Sequence, residues 1–335
     1  MIAAPTDPSW RADPSRTPLE RLLAAMAAGQ SAPGRHRPVR PWTLDARGTV
    51  IELRLSPSRA ALDDATNREL LMACGAVIEN LAIAANMEGR LFRVDALPAS
   101  DGAMVARLSL DARISPRRED EALHRVIEGA GRPAVPSDGG VLSPALLALL
   151  RHGARTAGGR LDVVADDTRR ELLAALQVEA ARLAEARRDA SRTASESAGS
   201  AAGSEASLTA GEWPRLDELL LPLGARFAVR SDRQAEHASH VRAATMDAPL
   251  LAVLGARGDA PGDWLSAGRA LQRVLLHATS QRLCATLLNG AVRETSGRDA
   301  LASIIPPGWT PQAIVRLDVD AGLAHRASCN AATAH

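Results

Sequence analysis

One stretch constrains the fold more than any other. Between Asn67 and Glu88 the chain reads NRELLMACGAVIENLAIAANME, and its interior, Leu70 to Asn86, is apolar nearly all round rather than along one stripe. A helix of that kind has no face to give to water, so it belongs inside a domain with other elements around it. Asp63 or Thr66 stands where a cap is needed, and a helix is expected over about 67–88. A second stretch of similar character, WLSAGRALQRVLLHATSQRL (264–283), predicts another helix over about 263–283. Setting Cys74-Gly75 against Ala267-Gly268, an offset of 193, brings Ile78 over Leu271, Leu81 over Val274, Ile83 over Leu276 and Ala85 over Ala278. Two readings stay open: a duplicated unit with a central helix in each copy, or two unrelated core helices that align because apolar helices do.

The elements around these helices follow from periodicity. Thr17-Pro18 opens a helix with Leu19, Leu22, Leu23 and Met26 on one face. An Arg- and Pro-rich loop (29–42) precedes a strand at 49–55, where Ile51, Leu53 and Leu55 alternate with polar neighbours. Further strands are expected at 103–110, 160–165, 249–254 and 313–318, and further helices at 119–128, 143–155 and 168–188. Residues 1–16 read as a flexible arm and 321–335 as a tail. The Ser/Ala/Gly-rich stretch 189–211 carries too little apolar surface to fold alone and reads as a linker or lid. Strands dispersed among long helices make the class α+β or α/β, with α+β preferred.

Length and charge narrow the function. At 335 residues the chain is long enough for two domains or one large duplicated one. Its two Phe, five Trp and absent Tyr dictate an aliphatic core. A net charge of +1 supplies no field to draw nucleic acid or a membrane surface, and aromatics for stacking bases are scarce. Three cysteines, Cys74, Cys284 and Cys329, are too few and too scattered for a disulfide framework or a zinc cluster. His237 and His240 are three residues apart but have no further ligand at metal spacing. The N-terminal segment lacks the basic-then-apolar pattern of a signal peptide, so a soluble, cytoplasmic protein is expected.

The order of motifs resembles the Acg-type branch of the nitroreductase-like flavoproteins. Family members carry a polar motif ending in Pro-Trp, then a strand, then a helix of the form R-E-L-L-x-x-C-G-A-A. Here Pro41-Trp42, the strand at 49–55 and Arg68-Glu69-Leu70-Leu71 with Cys74-Gly75-Ala76 match. The block at 264–289, followed by Pro311-Gln312 and Arg316-Leu317, is similar to the family's C-terminal half. The resemblance spans about residues 17–318 and weakens over 189–240.

It implies a nitroreductase-like fold in which two pseudo-equivalent halves, 17–118 and 119–320, are fused in one chain. Each half would contribute to an antiparallel-rich sheet architecture flanked by helices, and the protein would be a monomer resembling a fused dimer, or a loose homodimer. The resemblance also implies FMN as cofactor, NAD(P)H as electron donor and a nitro compound, quinone or similar small molecule as acceptor. Such chemistry demands cations at the phosphate and a donor near flavin N5. It requires no catalytic side chain and no metal.

His36, Arg37, Arg40 and Trp42 match the flavin-phosphate motif R-R-S-x-R-x-F, with Pro38 in place of the Ser. The equivalent place in the second half retains only Arg132, beside Glu128. The ring-facing loop falls at Leu288, Asn289 and Gly290, without the prolines that stiffen it in the family, and Arg316 follows in the last strand. Three readings of function remain: an FMN-dependent oxidoreductase, a non-catalytic FMN-binding or storage protein, and a flavin-free relic of the fold.

Overall fold

The computed structural model describes residues 16–23, 42–55, 64–97, 103–128, 143–197, 238–281 and 283–319. The chain enters through helix α1, described at 18–23, which begins at a capping box. The Thr17 hydroxyl accepts from Glu20 N at 3.3 Å and the Glu20 carboxylate from Thr17 N at 3.0 Å. Strands β1 (Trp42–Arg47) and β2 (Val50–Leu55) form a tight hairpin in which Arg47 faces Val50. Gly48, at φ +58°, supplies the left-handed residue that such a two-residue loop requires. Helix α2 (Asp64–Met87) follows, then β3 (Arg90–Ala96) and β4 (Met104–Arg113). All pairings are antiparallel and the sheet order is β1-β2-β4-β3.

Helices α3 (Arg118–Ile127) and α4 (Pro144–Thr156) lead to the second sheet. It contains β5 (Arg160–Val163), β6 (Leu250–Ala256), β7 (Leu283–Leu287) and β8 (Thr310–Val319), again antiparallel, in the order β5-β6-β8-β7. Between β5 and β6 lie α5 (Asp167–Ser197) and α6 (Ala238–Met246). Between β6 and β7 lies α7 (Pro261–Ser280), and between β7 and β8 the short helices α8 (Gly290–Arg293) and α9 (Thr295–Leu301). Each sheet is thus traversed in the same order, with a long buried helix between its second and third strands.

Those two helices, α2 and α7, share a larger contact than any other pair of elements. Their glycines set the crossing. A Cβ on Gly75 would run into the Leu265 carbonyl oxygen, and one on Gly268 into the Met72 carbonyl oxygen. Each glycine therefore abuts the backbone three residues ahead of the other, a reciprocal pair related by the 193-residue offset. Only a residue without a side chain permits so close an approach of two backbones.

One hydrophobic core surrounds this crossing and draws on both sheets, with Ile51, Leu53 and Leu108 from the first and Leu250, Leu254 and Val315 from the second. The second sheet is covered on its other face as well. Leu251, Val253 and Ile314 point there into a separate cluster with Leu173, Leu288, Val292 and Leu301. The first sheet instead turns charge outward: Glu52 accepts from Arg107 and Arg54, and Arg93 pairs with Asp111. The stretch Asn67–Met87 is long and apolar enough to cross a membrane, but here it lies buried inside the protein.

The structure corrects several expectations. It adds strands β1, β3 and β7: residue 42 opens a strand rather than closing a loop, and the C-terminal helix stops at Ser280 with β7 beginning at Leu283. Helix α2 starts at Asp64, which places Thr66 inside it rather than at its cap. Helix α5 runs to Ser197, so the segment expected to be unstructured from residue 189 is helical over its first part. Residues 198–211, the arm before Arg16 and the tail 321–335 lie outside the described residues.

Candidate functional site

The predicted site residues fall in three places. His36, Arg37 and Arg40 lie outside the described residues, as does Arg132. Trp42 opens β1 with 2% of its surface exposed and packs into the main core. Leu288, Asn289 and Gly290 form the link from β7 into α8, and Arg316 sits in β8, the strand that pairs with β7.

The link at 288–290 is held by the protein itself. The Leu288 amide donates to the Ile314 carbonyl at 2.9 Å, and the Asn289 side chain accepts from Ile314 N at 3.0 Å. From the other side comes Gln177 of α5, 3% exposed. Its amide nitrogen donates to the Leu288 carbonyl, and its oxygen accepts from Ala291 N at 3.1 Å. Gly290 makes room for it, since a Cβ there would lie 2.8 Å from the Gln177 oxygen. Arg187, further along α5, ties the helix to Glu294 through two nitrogens at 2.5 and 3.0 Å. Arg316 bonds the Asp318 carboxylate at 2.8–3.0 Å and donates to the Ala244 carbonyl of α6 at 2.8 Å.

FMN needs free donors at its ring and uncompensated cations at its phosphate. Several of the second-half groups are already engaged. Leu288 and Asn289 are buried and bonded within the protein, and Arg316 already faces a carboxylate.

Sequence reasoning recognised Arg68-Glu69 and Pro311-Gln312 as motif blocks without seeing that they meet. Arg68, 1% exposed, donates to the Gln312 side chain at 2.8 and 3.0 Å, to the Val292 carbonyl at 2.7 Å and to the Gln312 carbonyl at 3.0 Å. Glu69 accepts from Arg293 at 2.6 and 2.8 Å. Asp259 joins the cluster, accepting from Trp264 Nε1 at 2.7 Å and from Arg298 at 3.0 Å. Burial alone would raise the Asp259 pKa; its bonds to Trp264 and Gln312, with Arg298 and Arg68 nearby, hold it below the ordinary value. The start of α2 is thereby fixed to α8 and to β8. Two motif blocks far apart in sequence, each with polar residues beside apolar ones, were the available signal.

A second polar cluster pins the far side of the helix crossing. Glu79 of α2 accepts from Arg273 of α7 at 2.6 Å and from Arg269 at 3.1 Å, and Asn80 accepts from Gln272 at 2.8 Å. Asp120 of α3 also accepts from Arg273, while His277 bonds Glu119 at 2.9 Å. Gly153 of α4 leaves space for the His277 ring. Burial lowers the His277 pKa against the pull of Glu119. His152 reaches Glu119 at 3.4 Å from the solvent side. His240 is exposed on α6 and His237 lies outside the described residues. Cys74 and Cys284 are both buried, and burial pushes the Cys74 pKa far up, leaving it inert.

No known protein-family profile matches the chain. It is similar to the Mycobacterium tuberculosis protein named "Putative NAD(P)H nitroreductase acg", 28% identical over 313 residues that cover 88% of each chain. It is also similar to the uncharacterized protein Rv3127 of the same organism, 25% identical over 314 residues, 90% of this chain and 88% of that one. A likeness spread over nearly the whole length of both proteins supports a nitroreductase-like relationship.

Proposed function

We propose that the chain is a nitroreductase-like oxidoreductase in which one polypeptide supplies both halves of the fold. It would take electrons from NAD(P)H and deliver them to a nitro compound, a quinone or a similar small acceptor. One observation carries the reading: two sheets of the same strand order, each with a long helix between its second and third strands, meet at reciprocal glycines. Fusion of two equivalent subunits would leave that arrangement, and the likeness to the mycobacterial protein runs across both halves. Such a chain would work as a monomer or a loose homodimer in the cytoplasm.

FMN is the proposed carrier, anchored at the first-half motif with Arg37 and Arg40 on its phosphate and His36 beside them. When bound it supplies hydride and electron chemistry at N5. A second reading, FMN held without turnover, is favoured by the link at 288–291, which is closed by Gln177 rather than open to a ring. Visible absorption of the purified protein, after reconstitution with FMN, tests for the flavin. NAD(P)H oxidation with a nitroaromatic and with a quinone then separates the two readings. Bound FMN with acceptor-dependent turnover supports the oxidoreductase, bound FMN without it supports the holding protein, and no flavin absorption rejects both.

A further inference from the structure

Strand β1 runs from Trp42 at one end of the first sheet to the hairpin turn at Gly48 and Thr49 at the other. At the hairpin end the sheet and the close of α2 frame a hollow of about 490 Å³, lined by Thr49, Glu88, Arg90, Leu110, Arg113 and Ile114. That is room enough for a small molecule. Its walls are fixed from within the chain. Leu110 N donates to the Thr49 carbonyl at 2.8 Å, Ile114 N to the Gly89 carbonyl at 2.9 Å, and Arg117 N to the Asn86 side chain at 2.8 Å. Arg90 and Arg113 are partners across the β3–β4 ladder, where facing like charges are destabilising. Every other arginine of this sheet has a carboxylate: Arg47 has Asp45, Arg54 and Arg107 share Glu52, and Arg93 has Asp111. Among the described residues Arg90 and Arg113 have none. The Arg90 guanidinium makes one long bond, 3.5 Å from Nη2 to the Leu110 carbonyl, and its Nε is buried without an acceptor. Glu88, the carboxylate of the hollow, accepts instead from Leu19 N at 2.7 Å.

We propose that this hollow binds a small phosphorylated molecule, with Arg90 and Arg113 on its phosphate. Two guanidiniums on one ladder, both short of acceptors, call for a ligand that brings charge and several oxygens together. A phosphate monoester carries close to two charges near neutral pH and three strong acceptor oxygens. The guanidinium fork matches phosphate geometry, and an anion between the two arginines removes their mutual repulsion. A carboxylate would bring half the charge. The hollow is distinct from the flavin motif, because it lies at the end of β1 opposite to Trp42, the last residue of that motif. The proposal therefore stands or falls independently of the oxidoreductase reading.

The test titrates inorganic phosphate into the full-length protein by calorimetry at fixed salt, with amide hydrogen exchange over 88–93 and 108–116 to locate it. The same titration on Arg40→Ala removes the competing phosphate motif. Phosphate should slow exchange in both segments, with and without Arg40. Arg90→Gln and Arg113→Gln should each weaken that binding roughly ten- to a hundred-fold, the loss of one charge-assisted bond. Arg93→Gln, on the same strand but paired with Asp111, should leave it unchanged. Circular dichroism checks folding; should Arg90→Gln fail to fold, Arg113→Gln, exposed at the end of β4, carries the test. No slowing of exchange in the two segments at millimolar phosphate would overturn the proposal, as would binding that survives Arg113→Gln or is lost equally in Arg93→Gln. Succinate held more tightly than phosphate would overturn the assignment of the ligand.

Discussion

Replacing Gly268 by Ala tests the central crossing directly. The added methyl would meet the carbonyl oxygen, carbonyl carbon and Cα of Met72, all backbone atoms of a buried helix that cannot step aside as a side chain tip does. The two helices must separate, and every contact along their interface loosens with them. Overpacking of a well-filled core costs about 1–3 kcal/mol, and a clash against backbone belongs at or above the top of that range. Ala would return at most ~1 kcal/mol through its better helix propensity. A net loss of about 2–3 kcal/mol is therefore expected, and the same for Gly75→Ala, whose methyl would meet the Leu265 backbone.

The reciprocity adds a sharper condition. Once one methyl has parted the helices, the second finds space already made. The double variant should then lose at least ~1 kcal/mol less than the sum of the singles, the range in which contacting sites couple. Gly262→Ala is the control, since it lies in the same helix α7 with nothing within 4 Å of the added methyl, and it should be neutral or slightly stabilising. Urea unfolding of the four variants, read by circular dichroism, measures all of this. Strict additivity, or a Gly268→Ala protein as stable as Gly262→Ala, would refute the idea that the glycines share one close backbone contact.

Three further outcomes are expected. Arg68→Met should cost about 3–5 kcal/mol, because it leaves the buried Val292 and Gln312 carbonyls and the Gln312 side chain without their donor, and Arg68→Lys should fall between it and wild type in the same unfolding assay. Stability should decline as pH falls below about 6.5, the ordinary His value, because burial holds His277 below it and the unfolded chain takes up the proton first. His277→Gln should flatten that slope without abolishing it, since burial also lowers His124; an unchanged slope would exclude His277 as a source. Arg40→Ala should weaken FMN binding roughly ten- to a hundred-fold, the loss of one charge-assisted bond, and Arg132→Ala should change it little. Fluorescence titration at fixed salt distinguishes them, and the reverse ranking would move the phosphate site to the other half.

What the sequence made legible were elements whose pattern is strong in one dimension. The all-round apolar run of α2 and its counterpart in α7 had to be buried, and their offset pointed to Gly75 and Gly268 before any contact was known. The strands that escaped notice are sheet edges. In β3, Leu91, Arg93 and Asp95 face outward and only Phe92 and Val94 pack against the core, so its alternation is diluted by charge. In β7 the residues LCATL are all buried and follow α7 closely, so a continuous apolar run hid the change from helix to strand. The partners of Arg68 lie more than two hundred residues away, and no local pattern encodes such a meeting. Gln177 was invisible for another reason. On a charged amphipathic helix a lone Gln reads as surface, and only the fold reveals that it points inward.

Among the described residues the two sheets are alike in strand order yet unequal in what covers them, and the inequality bears on function. In a symmetric homodimer any substitution appears twice, so a side chain that closes one site closes its mate as well. If two such units were joined in one chain, that constraint would vanish. The first sheet here keeps an outer face of paired charges, Glu52 with Arg54 and Arg107. The second has acquired α5, α8 and α9 over its outer face, and with them a second core. The contact of Gln177 with Leu288 and Ala291 depends on that covering layer. A chain built this way can devote one half to rigidity and keep binding chemistry in the other. On the proposed reading, flavin phosphate binding is to be sought first at residues 36–42.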